Sequence, residues 1–291
     1  MISIVIPAYN EESVIVETIN RCNVILKKIG DEKSEVIVVD DSSKDKTCEL
    51  AKEAGAKVVS HPHNIGYGRS LKDGIKSAKN DVIVITDADG TYPIESIPEL
   101  FNEYLKGFQL VVGARQGKNY DESFKKKMLR KFLKALVEFT AGRKIMDINS
   151  GLRVFSKSEI MPYFSTLCEG FSFTTSQTLA YMMTGKFVKY IPIEYHKRVG
   201  KTKVKLFRDT FRTLQFVIEA ILFYNPIKIF FVFSLGLLFL SLLTFASTLI
   251  WHLKSTYIVS IATFLMAILI MGLGLIAVLI KQILKVQRKL D

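Results

Sequence analysis

The run DVIVIT at residues 81–86, followed at once by Asp87-Ala88-Asp89-Gly90, decides how this chain is read. An uninterrupted apolar segment of strand length, closed by Asp and Gly, is what a central parallel strand covered on both faces requires. Similar short runs lie at residues 2–6, 35–39, 57–60 and 109–113. Between them, residues 11–29, 44–54 and 93–106 read as helices, so the pattern predicts an open α/β sheet with crossover helices. In such sheets ligands collect beyond the carboxyl ends of the strands. Those ends carry Pro7-Ala8-Tyr9-Asn10-Glu11, Asp40-Asp41, Asp87-Ala88-Asp89 and Arg115.

Two carboxylates one residue apart, Asp87 and Asp89, can both reach a hard divalent cation, Mg²⁺ or Mn²⁺, which in turn binds diphosphate oxygens. The same three residues followed by Gly90 also make an ordinary turn. Asp40 can accept hydrogen bonds from a base or a ribose hydroxyl, the task an acid performs at the same place in dinucleotide sites. The competing role, a cap for the next helix, suits Ser42, Ser43 or Asp45 better, and the two roles can coexist. The chain has no G-x-G-x-x-G after its first strand and no Walker lysine motif, which argues against a dinucleotide fold and an ATPase.

The chain has 291 residues, 49% of them hydrophobic, enough for an α/β domain of about 200 residues and a further element. That element is apolar. Residues 227–250 contain one charge, Lys228, and residues 258–280 contain none. Each run exceeds the roughly 18–20 residues that span a hydrocarbon core, so two transmembrane helices are expected. Lys201, Lys203, Lys205, Arg208 and Arg212 precede the first run, and Lys281, Lys285, Arg288 and Lys289 follow the second, whereas the connector 251–257 carries only Lys254. Both termini are therefore expected on the cytoplasmic side. Lys and Arg outnumber acids 40 to 28, for a formal charge of +12. Beside two spans, that excess points to lipid headgroups and phosphates rather than nucleic acid. Cys22, Cys48 and Cys168 match no metal spacing and read as reduced thiols. Residues 1–7 already read as a strand, so no cleaved signal sequence is expected.

Further along, a basic helix is expected over 123–141, helices around 158–164 and 171–184, and a strand at 187–191. The loop Arg198 to Lys203 combines Gly200, which permits close backbone approach, with donors on Thr202 and Lys203 that can fold over a diphosphate. Residues 206–224 form an amphipathic segment suited to a membrane interface, ended by Asn225-Pro226. The expected divisions are a catalytic domain over 1–204, an interfacial helix over 205–226 and a two-helix anchor over 227–291.

VIPAYNEE at 5–12, VVDDSSKDKT at 38–47, HNIGYGRSLKDGI at 63–75, DADGTYP at 87–93, GAR at 113–115, DINSGLRVF at 147–155 and RVGKTK at 198–203 resemble, in order and spacing, family 2 glycosyltransferases of the dolichyl- or polyprenyl-phosphate hexose synthase group. The resemblance covers about the first 205 residues. It implies a GT-A fold, a Rossmann-like mixed sheet, in which Pro7, Tyr9, Glu11 and Asp40 face the nucleoside and Asp87 lies beside the sugar and diphosphate. Asp89 would hold the metal with Asp87, and Arg115, Arg130 and Arg198 would be the cations near the donor and acceptor phosphates, with Thr202 and Lys203 beside the acceptor. Arg suits that task because its planar fork binds phosphate oxygens bidentately. Where the family often has Leu-Gln, this chain has Gly90-Thr91, so Thr91 becomes a third and poorer metal ligand; Phe173-Thr174-Thr175-Ser176 stands where many relatives carry a Glu. The donor sugar stays open among GDP-mannose, UDP-glucose and UDP-N-acetylglucosamine.

The implied reaction is an inverting transfer of a hexose from a nucleotide-sugar to a polyprenyl phosphate. A phosphate monoester, with a second pKa of about 6, is largely ionised near neutral pH and needs cations and alignment more than a base. A processive polysaccharide synthase would carry Gln-x-x-Arg-Trp, and the only Trp here is Trp251. A nucleotidyltransferase would need a Gly-rich triphosphate loop near the amino terminus. A non-catalytic membrane partner, a transferase acting on a sugar hydroxyl and self-association into a homo-oligomer remain open at this stage.

Overall fold

The structure, a computed structural model, describes residues 1–30, 33–117, 124–196, 206–252 and 254–290. Seven strands form one sheet in the order β3-β2-β1-β4-β6-β5-β7. They are β1 (Ile2–Ala8), β2 (Glu35–Asp40), β3 (Lys57–Ser60), β4 (Val82–Ile85), β5 (Leu110–Gln116), β6 (Arg153–Ser156) and β7 (Val188–Glu194). All pairings are parallel except those of β6, which runs antiparallel to both β4 and β5. The strand order reverses between β1 and β4, with β2 and β3 on one side and β4 on the other, and that switch point is where an open sheet leaves a crevice.

Both faces of the central strands are covered, which explains their unbroken apolar runs. On one face Ile2, Ile4 and Ile6 belong to the same buried cluster as Ile15, Ile19 and Cys22 of α1 (Ile15–Ile29). Burial pushes the Cys22 thiol up to about 12, so it behaves as a small apolar group. On the other face α3 (Tyr67–Ser77) lies so close that a Cβ at Gly74 would sit 2.4 Å from Val5 Cγ1 and 2.8 Å from Val39 Cγ2. Each Ile or Leu fully buried in this way stabilises the fold by roughly 1.5–3 kcal/mol.

Several element boundaries differ from the sequence expectation, for local reasons. The helix expected from residue 11 begins at Ile15, and that expected from residue 44 begins at Thr47 in α2 (Thr47–Glu53). The two missing turns are bonded to each other: the amides of Asn10 and Glu11 donate to Ser43 Oγ and Thr47 Oγ1, and the amides of Lys44 and Lys46 donate to Asn10 Oδ1 and Glu12 Oε2. Strands β5 and β7 each run three residues further than expected because they pair in parallel as far as Gln116 and Glu194. Residues 94–96 form a 3-10 turn leading into α4 (Ile97–Leu105). Helix α6 (Lys157–Ile160) gives way to a second 3-10 turn over Met161–Tyr163, at Pro162. Helices α5 (Phe124–Ala141), α7 (Phe173–Met183) and α8 (Leu206–Tyr224) occupy the segments expected for them. Strand β6 and helix α3 are additions to the sequence reading.

The chain divides into two compact units, Met1–Phe216 and Val217–Asp291. The second contains α9 (Pro226–Trp251) and α10 (Lys254–Leu290), helices long and apolar enough to cross a membrane, with mean hydropathy of 2.5 and 2.8 in their most apolar windows. Only 11% of each window is buried, unlike a core helix of a soluble protein. The pair is joined by small polar residues: Ser234 Oγ donates to the Ala267 carbonyl at 3.0 Å, and Ser241 and Ser260 donate to each other's carbonyls at 2.9 and 3.1 Å. Close approach through small residues and shared hydroxyls is how helices associate in lipid.

Candidate active site

The carboxyl ends of β1, β2 and β4 meet at the switch point, and the backbone there is constrained. Asn10, just beyond β1, and Ser42, just beyond β2, both adopt positive φ (51° and 63°), a conformation uncommon outside glycine and concentrated at functional sites. Between them the neighbours Asp40 and Asp41 part company. Asp41 is a structural anchor: its carboxylate accepts the amides of Ile65 and Gly66, each at 2.9 Å, and contacts His61 Nδ1 at 2.9 Å. Asp40, only 4% exposed, accepts the Ser43 amide on Oδ2 at 3.3 Å, while its buried Oδ1 has no hydrogen-bond partner among the described residues. A buried acceptor left bare costs about 1–3 kcal/mol, so this oxygen is a candidate for a ligand donor.

Beyond β4, Gly90 at φ 72° turns the chain so that Asp87 and Asp89 follow the strand on a tight bend. Asp89 is buried and accepts both the amide (3.2 Å) and the hydroxyl (2.6 Å) of Thr91 on Oδ1. Thr91 is itself fully buried, and its hydroxyl is directed at Asp89. Asp87 is half-buried and accepts the Tyr67 hydroxyl on Oδ1 at 2.8 Å. Burial first, and then the Asp87 charge, pushes the Tyr67 phenol well above its ordinary pKa, so it remains a donor. No group of three or more His, Cys, Asp or Glu side chains able to hold a metal exists among the described residues. Two neighbouring carboxylates nevertheless fit Mg²⁺ or Mn²⁺, because such ions are commonly bound by one or two carboxylates with the other positions filled by phosphate oxygens and water.

The third wall is the segment between α5 and β6. Arg115, at the end of β5, grips Asp147 through Nε–Oδ2 (2.7 Å) and Nη2–Oδ1 (2.9 Å), and its guanidinium lies 5.4 Å from the Tyr195 ring centre. Burial alone would raise the Asp147 pKa, but the Arg115 charge and hydrogen bonds outweigh it and hold the carboxyl below its usual range. The Asp147 carboxylate in turn accepts the Asn149 amide, Ser150 Oγ donates to the Gly113 carbonyl, and the Gly151 amide donates to Tyr92 Oη at 2.6 Å. Fully buried Arg153 ties the same segment down by donating to the carbonyls of Ile148 and Ser150. At the start of α7, Thr175 Oγ1 donates to Asn149 Oδ1.

Of the residues singled out from sequence, Pro7, Tyr9, Glu11, Asp40, Asp87, Asp89, Thr91 and Arg115 lie at or just beyond the ends of β1, β2, β4 and β5. Arg115, expected beside a phosphate, here has its fork on Asp147. Arg130 falls within α5, with its side chain outside the described residues, and Arg198, Thr202 and Lys203 lie outside them entirely. Tyr67, Tyr92, Asp147 and Arg153 lie within the motifs quoted above but were given no individual role. A signal existed for Arg153, a lone charge opening the otherwise uncharged strand RVFS.

Residues 3–164 match the family described as "Glycosyl transferase family 2". Among curated proteins, the chain is 32% identical over 231 residues to the "Low-salt glycan biosynthesis hexosyltransferase Agl6" of Haloferax volcanii, covering 75% of this chain and 53% of that protein. It is 28% identical over 207 residues to the "Dolichyl-phosphate hexose transferase" of the same organism, covering 71% and 87%. It is 33% identical over 166 residues to the "Undecaprenyl-phosphate 4-deoxy-4-formamido-L-arabinose transferase" of Pseudomonas fluorescens, covering 55% and 48%. The chain thus spans about half the length of the first and third of these relatives. Among solved structures, glucosyl-3-phosphoglycerate synthase from Mycobacterium tuberculosis, in complex with Mn²⁺, UDP and phosphoglyceric acid, superposes with a TM-score of 0.62 at 22% identity, covering 76% of this chain and 78% of that one. The same enzyme with Mg²⁺ and UDP gives 0.61 at 20% identity, similarities that speak to the fold alone. With more than half of its length matching the family and a GT-A-type mixed sheet presenting acidic residues at its strand ends, the chain belongs to glycosyl transferase family 2.

Proposed function

We propose that this protein transfers one hexose, with inversion, from a nucleotide-sugar to a polyprenyl phosphate. The observation that carries the reading is the gathering of Asp40, Asp87 and Asp89 at the ends of β2 and β4, on either side of β1 at the switch point, with one buried Asp40 oxygen that has no hydrogen-bond partner among the described residues. The names of the two relatives that mention dolichyl and undecaprenyl phosphate, together with two helices long enough to span a membrane, support a lipid acceptor. In this reading residues 1–204 are a cytoplasmic catalytic domain, 205–226 an interfacial helix and 227–291 the anchor, with both termini cytoplasmic.

In the reaction an acceptor phosphate oxygen bonds to the anomeric carbon while the bond from that carbon to the diphosphate oxygen breaks, and the nucleoside diphosphate departs with the electron pair. Pro7, Tyr9 and Glu11 line the nucleoside, and Asp40 Oδ1 accepts a donor from the base or ribose. Asp87 and Asp89, with Thr91 as the poorer third ligand, would hold Mg²⁺ or Mn²⁺, and the ion would supply positive charge to the leaving diphosphate. Arg115 braces the 147–151 segment, while Arg130, Arg198, Thr202 and Lys203 supply cationic and hydroxyl donors to the phosphates. The acceptor arrives ionised, so alignment does the work that a base would do for a sugar hydroxyl.

The test is to incubate membranes containing the protein with radiolabelled GDP-mannose, UDP-glucose or UDP-N-acetylglucosamine and polyprenyl phosphate. Label from one donor should enter the organic phase and fail to do so in EDTA. Transfer to water-soluble acceptors alone, with no lipid product from any donor, would refute the reading.

A further inference from the structure

Asp87 is held from two sides by residues to which neither a relative's name nor the sequence reading gives a role, although both lie within quoted motifs, HNIGYGRSLKDGI and DINSGLRVF. From one side Tyr67 Oη donates to Oδ1 at 2.8 Å. From the other, a Cβ placed on Gly151 would lie 2.8 Å from Oδ1, 3.0 Å from Cγ and 3.0 Å from Oδ2. Near-equal distances to all three atoms put the Gly151 α-carbon under the flat face of the carboxylate. Both jaws are themselves fixed. The Tyr67 ring stacks on Phe171 with centroids 5.7 Å apart and planes 13° from parallel, and Tyr67 opens α3 immediately after Gly66 at φ 108°. Gly151 is fixed by its amide, which donates to the hydroxyl of buried Tyr92, and the Tyr92 ring packs edge-on against Tyr195 at 5.4 Å.

We propose that Tyr67 and Gly151 form a clamp that sets the orientation of Asp87, making Tyr67 a positioning residue for the cation and sugar-diphosphate. The inference rests on the glycosyl-transfer reading above and goes beyond it, since a loose carboxylate on a half-buried turn has several rotamers and only some face a bound diphosphate. A hydrogen bond to Oδ1 and a glycine under one face together restrict the orientation of the carboxylate. No side chain larger than hydrogen fits at residue 151 unless Asp87 moves, and no residue without a terminal donor can replace Tyr67.

The experiment compares the full-length protein in detergent with Tyr67→Phe, which keeps the stacked ring and removes only the hydroxyl, and with Gly151→Ala. Tyr163→Phe, which loses a hydroxyl contact with Thr184 at the C-terminal end of α7, serves as the control. Free Mn²⁺ is measured by electron paramagnetic resonance in the presence of UDP and, separately, GDP, alongside thermal unfolding and steady-state transfer. The Mn²⁺ affinity of Tyr67→Phe should fall about tenfold to a hundredfold, the equivalent of one hydrogen bond to a charged group. The kcat/KM for donor should fall with it, while the melting temperature and the KM for polyprenyl phosphate stay at their wild-type values. Gly151→Ala should show the same pattern from the opposite side, and Tyr163→Phe should bind Mn²⁺ as the wild type does. A folded Tyr67→Phe that binds Mn²⁺ and turns over like wild type overturns the clamp. Should Tyr67→Phe fail to fold, wild-type Mn²⁺ affinity in Gly151→Ala overturns it instead. A wild-type protein that neither binds Mn²⁺ with a nucleotide nor transfers sugar would defeat the functional reading itself, a different result from an active wild type with indifferent variants.

Discussion

Replacing Arg153 with Lys keeps the charge and most of the apolar stem but removes the planar fork, and the structure says what that should cost. Arg153 is fully buried at the start of β6, opposite Ile85 of β4 and Val112 of β5. Among the described residues no carboxylate pairs with it, and burial draws its pKa below the ordinary value. Its charge is instead spread over oxygen dipoles: Nε to the Ser150 carbonyl at 2.7 Å, Nη1 to Thr178 Oγ1 at 2.8 Å and Nη2 to the Ile148 carbonyl at 2.9 Å. A lysine ammonium is a single point on a shorter reach and can keep one of these partners. Losing two charge-assisted bonds at a minimum of about 1.5 kcal/mol each gives roughly 3 kcal/mol of destabilisation. For a unit of this size, where 1 kcal/mol moves the melting point by about 2–4 °C, that is a fall of roughly 6–12 °C. Circular dichroism melting of the full chain in detergent measures it. The freed carbonyls also loosen the segment carrying Asp147 and Gly151, so donor KM should rise in the same variant. Arg153→Lys melting at the wild-type temperature would refute the claim that this fork holds the segment.

Three other outcomes are expected. Asp89→Asn, which halves the carboxylate pair after β4, should lower transfer by several kcal/mol of transition-state stabilisation, roughly a thousandfold, in the organic-phase assay, without lowering the melting point. Gly68→Ala should destabilise by about 1–3 kcal/mol or prevent folding, because its Cβ would lie 2.5 Å from the Cys168 carbonyl oxygen and 2.7 Å from backbone atoms of Glu169 and Gly170, none of which can rotate away; thermal unfolding checks this. The Asp147–Arg115 pair sets a pH dependence: the folded Asp147 pKa lies below its unfolded value of about 3.9, so its stabilisation is complete above that pH and is lost as pH falls through the folded value. Asp147→Asn should therefore be less stable than wild type near neutrality and show a flatter loss of stability below about pH 4, read from denaturant midpoints at several pH values.

Strands β1, β2 and β4 were legible in the sequence because strands buried on both faces have no alternative to continuous apolar runs, and the short, half-buried edge strand β3 also occupies the expected residues 57–60. Helix α3 was not, for an opposite reason. Its sequence YGRSLKDGIKS carries two interior glycines, each a penalty of about 1 kcal/mol for an isolated helix. Tertiary contact overrides that penalty, since Gly68 lies against the backbone of 168–170 and Gly74 against Val5 and Val39. Strand β6 escaped notice because four residues carry little periodicity, and nothing local tells a short strand that it will lie antiparallel between β4 and β5.

The site was legible as residue types and not as roles. Asp40 and Asp41 are the same amino acid at the same strand end, and successive side chains of an extended chain point to opposite faces. Asp41 falls among the amides of Ile65 and Gly66 and is fully engaged, whereas the buried Oδ1 of Asp40 has no hydrogen-bond partner among the described residues. Arg115 shows the converse: a cation expected at a phosphate is the partner of Asp147 and braces a wall of the site. What separates presentation from support is the partner each group meets after folding, and that partner comes from distant sequence. Asp87 meets Tyr67 and Gly151, Arg115 meets Asp147, and Arg153 meets Ile148 and Thr178. An acceptor such as Asp40 Oδ1, kept bare at a cost of about 1–3 kcal/mol where a smaller apolar residue would avoid it, is therefore stronger evidence for a ligand than any of the satisfied residues around it.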